Sequence, residues 1–167
     1  HAIELLIQAF PTVLAAFPEA VLLIVGGGED LETLRGMAAD QGISAAVRFA
    51  GKIPRDQVPY YYRLGTVSVD PKRDTVLANS SLSVKLLESI AARVPLVTAD
   101  TGDSRRILDG AGLAVKPGDA AALAEGILTI LKDPTLAEKM RQAAVQVGKQ
   151  YTWDQLASDF LTIYQLP

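Results

Sequence analysis

The sequence has 167 residues, 49% of them hydrophobic and 21% charged, which fits one folded domain and excludes a disordered chain. Sixteen basic and nineteen acidic side chains give a net charge of −3, so the overall basic charge typical of nucleic-acid binders is missing. Cysteine is absent, which excludes disulfides and thiolate chemistry, and the single histidine, His1, excludes a site built on several histidines.

Segments with strand and helix patterns alternate through the first 115 residues. Short β-branched and leucine-rich runs predict strands at 21–25, 46–50, 66–69, 95–98 and 113–115. Apolar residues at three- and four-residue spacing predict helices at 2–17, 31–40, 55–64, 82–92 and 104–108. This alternation predicts a parallel sheet covered by helices on both faces, with the strand at 21–25 buried on both sides.

The pattern changes after Gly118. Three helical segments follow, with no strand between them, at 120–131, 136–151 and 153–166. Asp133 and Thr152 are predicted to cap the second and third of these helices. We therefore predict one domain over 1–167 with a helical tail over 120–166.

The sequence shows neither a membrane-spanning segment nor a signal peptide. No apolar run approaches the roughly 18 residues that a membrane-spanning helix requires. The first residues, HAIELLIQAF, lack the basic region and the cleavage site of a signal peptide. We expect a cytoplasmic protein without a transmembrane segment.

Parallel sheets bind ligands at the carboxyl ends of their strands. The loops at 26–30, 51–55, 70–83 and 100–105 follow predicted strands, so we expect the site to be drawn from these four loops.

The first of these loops contains the run Gly26–Gly28. Glycines let a phosphate or a sugar approach the backbone at the start of a helix. A dinucleotide-binding fingerprint would need a glycine at position 31, where the residue is Leu31, and Glu29 and Asp30 place negative charge where a phosphate would lie. Ligand contact and a plain tight turn both remain open.

The polar segment 79–83 precedes the predicted helix at 82–92 and offers N-caps and free N–H groups. Lys85, near the helix start, is placed to meet an anion. Glu88 lies beside the apolar stripe of a helix that packs on the sheet, so we expect it to have a partner. The alternative is a solvated pair of Glu88 with Lys85, three residues away.

Aspartates follow several predicted strands, at Asp70, Asp74, Asp100 and Asp103. Their spacing matches no known carboxylate loop, so we expect no metal site. Capping of the helix at 104–108 by Asp103 or Ser104 is expected whether or not a ligand binds.

Aromatic residues are not interleaved with basic ones as in nucleic-acid binders. Tyr60, Tyr61 and Tyr62 form a cluster, and we expect them to pack against the sheet rather than stack on bases. No nucleic-acid partner is expected.

A series of segments in fixed order resembles the C-terminal domain of group 1 (family 4) glycosyltransferases. They are IELLIQAF at 3–10, LIVGGG at 23–28, VRFAG at 47–51, KLLESIAA at 85–92, PLVT at 95–98, GLAVKPGD at 112–119 and YTW at 151–153. The resemblance implies a GT-B enzyme whose C-terminal domain is a Rossmann-like, doubly wound α/β sheet that holds a nucleotide-sugar donor. It implies an N-terminal domain for the acceptor, retention of anomeric configuration, no metal, and help from the leaving phosphate in catalysis.

The resemblance also implies roles for individual residues. Glu88 matches the second glutamate of the family's paired-glutamate motif, a ribose ligand, whereas the first glutamate, a sugar ligand, is replaced by Ser80. Ser83 with Lys85 is similar to a subtype with Ser or Pro two residues before the lysine. The implied donor-binding set is Gly27, Gly28, Lys52, Ile53, Ser80, Ser81, Leu82, Ser83, Lys85, Glu88, Gly102 and Asp103.

Within this set the implied contacts differ. Lys85 and the N–H groups of 81–83 would bind the diphosphate, and Lys52 and Ile53 would face the nucleobase. Gly102 and Asp103 would approach the sugar. No catalytic residue is implied.

The family's C-terminal domain begins with a strand and an arginine–lysine phosphate clamp, whose place here falls at or before His1. In a 3-2-1-4-5-6 sheet that strand is central. We expect a piece of a longer protein, without that strand, the clamp and the acceptor domain, and inactive alone. The alternative is a rearranged sheet or a strand borrowed from another copy. The parent is compatible with peripheral association at the inner membrane face.

These observations predict the donor-binding domain of a retaining glycosyltransferase. Because Ser80 replaces the usual glutamate, a non-catalytic nucleotide or nucleotide-sugar binder stays open. So does an α/β interaction domain whose tail at 120–166 contacts a partner.

Overall fold

The computed structural model describes residues 2–164 and has a mixed α/β architecture, as predicted. Five strands lie within this range, at β1 (Leu22–Val25), β2 (Val47–Gly51), β3 (Ser68–Asp70), β4 (Leu96–Ala99) and β5 (Gly112–Val115). Nine helices lie within it, at α1 (Ile3–Ala16), α2 (Leu31–Asp40), α3 (Val58–Leu64), α4 (Val76–Ser80), α5 (Val84–Ala92), α6 (Ser104–Leu108), α7 (Ala120–Lys132), α8 (Pro134–Gln150) and α9 (Trp153–Tyr164). The predicted residues 165 and 166 of the last helix, and His1, lie outside the described residues.

The strands are all parallel, but they form two sheets. One sheet pairs β1 with β2, and the other has the order β3-β4-β5. Among the described residues, β1 and β3 are not paired with each other. Of the loops expected to form the site, those at 26–30 and 51–55 follow the strands of the first sheet. Those at 70–83 and 100–105 follow β3 and β4 of the second sheet.

Helices on one face connect the two sheets through a shared core. Ile7 and Phe10 of α1 belong to the same cluster as Ile24 of β1 and Val97 of β4. Helix α1 runs through Pro11 without ending. The three-stranded sheet is covered on its other face as well, because Leu96 of β4 packs in a second cluster with residues of α5, α6 and α8.

The prediction that the first strand is buried on both faces is wrong. Leu22 and Ile24 of β1 are buried, whereas Leu23 and Val25 are 37% and 40% exposed. The two-stranded sheet is thus covered by helices on one face only, within the described part of the chain.

The remaining differences between the predicted and the observed elements are local. Helix α4 occupies part of the predicted loop 70–83, and the helix predicted at 55–64 begins as a 3₁₀ turn at Arg55–Gln57. The caps of the helical tail are confirmed: Asp133 accepts from Leu136 N at 2.9 Å, and Thr152 accepts from Gln155 N at 3.2 Å. None of the described helices combines the length and apolarity needed to cross a membrane.

Candidate functional site

The loops after β3 and β4 meet the start of α5 around a small cavity of about 10 Å³. This cavity is lined by Lys72, Ser81, Leu82, Ser83, Leu86, Thr101, Asp103 and Ser104. Its place at the carboxyl ends of parallel strands is where α/β sheets bind ligands. A larger groove of about 380 Å³ lies between α1 and α7, without a strand end in its lining, so we do not place the site there.

The start of α5 is open to an anion. Ser83 occupies the N-cap position in an extended conformation, its side chain makes no capping hydrogen bond, and the first turn carries no acidic residue. Ser80 and Ser81, which the sequence suggested as N-caps of this helix, do not cap it. Their Oγ atoms both donate to the carbonyl of Leu77, at 3.4 and 2.7 Å. The first N–H groups of the helix and the positive end of its dipole therefore point to the cavity without a side-chain partner from its cap.

The loop after β4 forms another wall of the cavity. Ser104 Oγ accepts from Thr101 N at 3.1 Å and donates to the carbonyl of Ala99 at 3.0 Å. Asp103 pairs with Arg106 at 2.9 Å, and the Arg106 guanidinium holds the pKa of the Asp103 carboxyl below its usual value. The prediction that Asp103 or Ser104 caps α6 is wrong, because both side chains have these other partners.

Lys72 is a lining residue that the sequence analysis missed. Its Nζ lies 3.7 Å from Oδ2 of Asp70, and the side chains of Lys72 and Asp70 are 11% and 1% exposed. The signal in the sequence was the position of Lys72, which lies two residues after β3 in a loop already assigned to the ligand edge. A lysine in a loop is usually solvated, and only the fold shows that this one is largely covered.

Glu88 has a specific partner on another helix. The hydroxyl of Tyr62 on α3 donates to Oε2 of Glu88 at 3.1 Å. Burial and the Glu88 carboxylate together raise the pKa of Tyr62 well above its usual value, so the phenol stays protonated as a donor. The expected partner of Glu88 is thus found, although Tyr62 was expected only to pack against the sheet.

The short helix α4 is tied to the loop after β4. Asn79 Oδ1 accepts from Gly102 N at 3.1 Å, and its Nδ2 donates to Asp74 Oδ1 at 2.7 Å. Gly102 has a φ of +53°, and a Cβ there would lie 2.7 Å from the Asn79 carbonyl oxygen. This close approach requires glycine and holds Ser80, at the end of α4, near the loop of Gly102.

The other predicted residues lie at the ends of β1 and β2. Gly26 N donates to the carbonyl of Gly51 at 2.9 Å, which joins the two loops. Gly27 lies against the side chain of Lys52, since a Cβ there would be 3.2 Å from Lys52 Cγ, and Gly28 has open space around it. Lys52 is exposed and Ile53 is half-buried.

The structure therefore divides the predicted set into two groups. Of the predicted residues, Ser81, Leu82, Ser83 and Asp103 line the cavity at the start of α5. Ser80, Lys85, Glu88 and Gly102 lie on the elements around it, whereas Gly27, Gly28, Lys52 and Ile53 lie at the edge of the two-stranded sheet.

The four aspartates considered for a metal have separate partners. Asp70 lies near Lys72, Asp74 accepts from Asn79, Asp100 pairs with Arg105 at 2.5 Å, and Asp103 pairs with Arg106. Within residues 2–164, no group of three or more potential metal-ligating His, Cys, Asp or Glu side chains comes together.

Comparison with known proteins identifies the family. The model of the family described as glycosyl transferases group 1 matches residues 1–147. The chain belongs to this family. The resemblance drawn from the sequence segments is thereby confirmed.

Mycobacterial relatives of this group 1 domain are similar over almost its whole length. A phosphatidyl-myo-inositol mannosyltransferase from Mycobacterium leprae is 32% identical over 164 residues, which are 97% of this chain and 42% of the relative. A GDP-mannose-dependent alpha-(1-6)-phosphatidylinositol monomannoside mannosyltransferase from Mycobacterium tuberculosis is 32% identical over 166 residues, with 95% and 43% covered. The group 1 domain described here thus spans less than half the length of these relatives.

Solved structures show the same fold. The Anabaena protein HepE, in complex with UDP and glucose, superposes with a TM-score of 0.81 at 18% identity, covering 99% of this chain and 45% of HepE. The C-terminal domain of a group 1 glycosyl transferase from Francisella tularensis superposes with a TM-score of 0.76 at 19% identity, covering 89% of this chain and 78% of that domain. At these identities the likeness establishes the GT-B domain fold.

Proposed function

We propose that this chain is the donor-binding domain of a retaining glycosyltransferase, which transfers a sugar from a nucleoside diphosphate sugar to an acceptor. The observation that carries the proposal is the arrangement on α5. An uncapped helix start faces a cavity, and one turn further a glutamate is held by a tyrosine hydroxyl. A carboxylate accepts hydrogen bonds from ribose hydroxyls, and a helix start binds phosphate.

The spacing on this helix suits a nucleotide. Val84 begins α5 and Glu88 lies four residues later, which is about 6 Å along the helix axis. We assign Glu88 to the ribose and the helix start with Lys85 to the diphosphate. We assign the second group, at the ends of β1 and β2, to the nucleobase side, and the loop of Gly102 and Asp103 with Ser80 to the sugar side.

The relatives suggest which nucleotide to test first. The Mycobacterium tuberculosis relative, 32% identical, is named as GDP-mannose-dependent, whereas HepE, 18% identical, was solved in complex with UDP. The higher identity supports a guanine nucleotide, so GDP is the first probe and UDP and ADP are its comparators.

The intact enzyme would need more than this domain. We infer that an acceptor-binding domain completes the cleft and that no metal takes part. We also infer that the site faces the cytoplasm, at the membrane surface. The phosphatidylinositol lipids that appear in the names of these relatives support peripheral membrane association.

The test is a heteronuclear NMR titration of the chain with GDP, UDP and ADP at millimolar concentrations. We expect one nucleotide to shift amides of 81–88, and we expect Glu88→Gln to abolish those shifts. Glu19→Gln is the matched control, because Glu19 is exposed and lies in the turn after α1. Shifts that persist in Glu88→Gln, or a well-folded chain that responds to no nucleotide, would overturn the proposal.

A further inference from the structure

The pair of Asp70, which is buried, and Lys72, which is largely covered, is not explained by packing. Neither carboxylate oxygen of Asp70 has a hydrogen-bond partner, although Asp70 is 1% exposed. Lys72 Nζ, at 3.7 Å, is too distant for a good hydrogen bond to Oδ2 but close enough to balance its charge. Burying a carboxylate without hydrogen bonds costs free energy. Such an arrangement is therefore expected to be offset by other interactions or to serve a function.

Lys72 also lines the cavity at the start of α5, where two other groups can bind an anion. One is the helix start itself, which no side chain caps. The other is Thr101 Oγ1, which is buried, has no hydrogen-bond partner and belongs to the lining. An ammonium, a free hydroxyl and backbone N–H groups thus meet at one cavity, and all three can donate hydrogen bonds.

The size of the cavity limits what can enter it. A volume of about 10 Å³ holds roughly one water-sized group. One oxygen of a phosphate fits this space, while the rest of the phosphate would lie at its mouth. The cavity is therefore suited to a single phosphate oxygen rather than to a whole sugar or base.

We propose that Lys72 is a further ligand of the donor diphosphate, with Asp70 as the residue that positions its ammonium group and Thr101 as a hydroxyl donor to the same phosphate oxygen. This inference rests on the proposed function and adds residues to that site. A lysine ammonium has three N–H donors, so one can face Asp70 while the others bind phosphate. Lys72 thus serves the diphosphate in addition to Lys85.

The test compares a nucleoside with its diphosphate. Dissociation constants for guanosine and GDP, and for uridine and UDP, are measured by NMR titration or calorimetry on the chain and its variants. We expect Lys72→Met to weaken binding of the diphosphate about tenfold or more, the usual range for a charge-assisted hydrogen bond, and to leave nucleoside binding within about twofold. Thr101→Val is expected to weaken only diphosphate binding, by a smaller factor.

A second variant separates binding from folding. Lys72→Met leaves Asp70 without a countercharge and can unfold the chain, so the double variant Asp70→Asn/Lys72→Met removes both charges together. We expect the double variant to be folded and to keep the weak diphosphate binding of Lys72→Met. Arg73→Met is the matched control, because Arg73 is the neighbouring cation and pairs with Glu4 at 2.8 Å.

The outcomes separate this inference from the proposed function. If the unchanged chain binds no nucleotide, or Glu88→Gln binds as tightly as the unchanged chain, the proposed function is wrong and this inference falls with it. If nucleotide binding depends on Glu88 but the folded double variant binds diphosphate as tightly as the unchanged chain, only the role of Lys72 is wrong. A loss of diphosphate binding in Lys72→Met and in the double variant, but not in Arg73→Met, supports it.

Discussion

The hydroxyl of Tyr62 donates a hydrogen bond to Oε2 of Glu88 at 3.1 Å, joining residues 26 positions apart on α3 and α5. Glu88 is the proposed ribose ligand, so its orientation decides how it would meet a ribose. Because Oε2 is held by Tyr62, the orientation of the carboxylate is tied to α3. Tyr62 is thus a positioning residue for the proposed donor site.

Tyr62→Phe removes only the hydroxyl of this pair. We expect the dissociation constant for GDP to rise about two- to fivefold, a modest factor because the pair is half-buried and water can replace the lost donor. Titration of the chain by NMR or calorimetry measures this change. Tyr60→Phe is the control, since Tyr60 is 65% exposed, and an equal loss in both variants would contradict a specific role of Tyr62.

The raised pKa of Tyr62 predicts a dependence of stability on alkaline pH. In the folded state the phenol keeps its proton above pH 10, whereas the unfolded chain loses it with the ordinary tyrosine pKa of about 10. The folded state then binds more protons, so the stabilisation is fully present below about pH 10 and is lost as the pH rises above it.

Urea unfolding at about pH 9, 10 and 11 measures this effect. We expect the free energy of unfolding to fall more steeply with pH in the unchanged chain than in Tyr62→Phe. The two slopes should differ by at most the amount that corresponds to one bound proton. Tyr60→Phe should follow the unchanged chain. Parallel slopes in all three proteins would show that Tyr62 titrates alike when folded and unfolded.

Two helical glycines are predicted to respond in opposite directions to alanine. Gly126 of α7 packs on the sheet, where a Cβ would lie 2.9 Å from Val97 Cγ1 and 3.0 Å from Val115 Cγ1. Overpacking by Gly126→Ala costs about 1–3 kcal/mol, more than the gain of up to about 1 kcal/mol in helix propensity. Gly36 of α2 has open space, so Gly36→Ala is expected to stabilise the chain by about 0.5–1 kcal/mol.

Chemical denaturation of these two variants checks the packing of α7. A stabilised Gly126→Ala would mean that α7 does not lie against β4 and β5 as described. A destabilised Gly36→Ala would place α2 in a different environment from the exposed one seen here.

Asn79 is predicted to protect the amide of Gly102 from hydrogen exchange. Asn79→Ala removes the acceptor of the Gly102 N–H, so we expect exchange at Gly102 to accelerate about fivefold or more. Gly118 N donates to the carbonyl of Lys72 at 2.9 Å, without help from Asn79, and serves as an internal control. Unchanged exchange at Gly102 would show that α4 and the loop after β4 are not joined through Asn79.

Much of the architecture follows from local patterns in the sequence. Alternating apolar runs and helical periodicities predicted every strand and most helices, and Asp133 and Thr152 cap their helices as expected. These features depend on residues close in the chain, which is why they can be inferred without the fold. The ordered segments that resemble group 1 glycosyltransferases likewise lie in continuous stretches, and they pointed to the family.

Features that depend on the arrangement of elements could not be inferred in this way. The exposed face of β1 was missed because a continuous apolar run does not show how many helices cover it. Helix α4 was missed because its apolar residues Val76 and Leu77 are exposed and leave no buried stripe. The prediction of Asp103 and Ser104 caps failed for a different, local reason. Arg106, Thr101 and Ala99, three to five residues away in the sequence, compete with the helix start for these polar atoms.

The sequence by itself determined the α/β class, the family and the candidate glutamate on α5, because each is encoded in local spacing or in the order of short segments. Only the tertiary structure decided that Tyr62 holds Glu88, that Lys72 lies beside the buried Asp70, and that Thr101 completes the lining of the same cavity. The physical reason is that hydrogen bonds, charge compensation and burial depend on distances in space. Those distances are set only when separate loops meet at the ends of the strands.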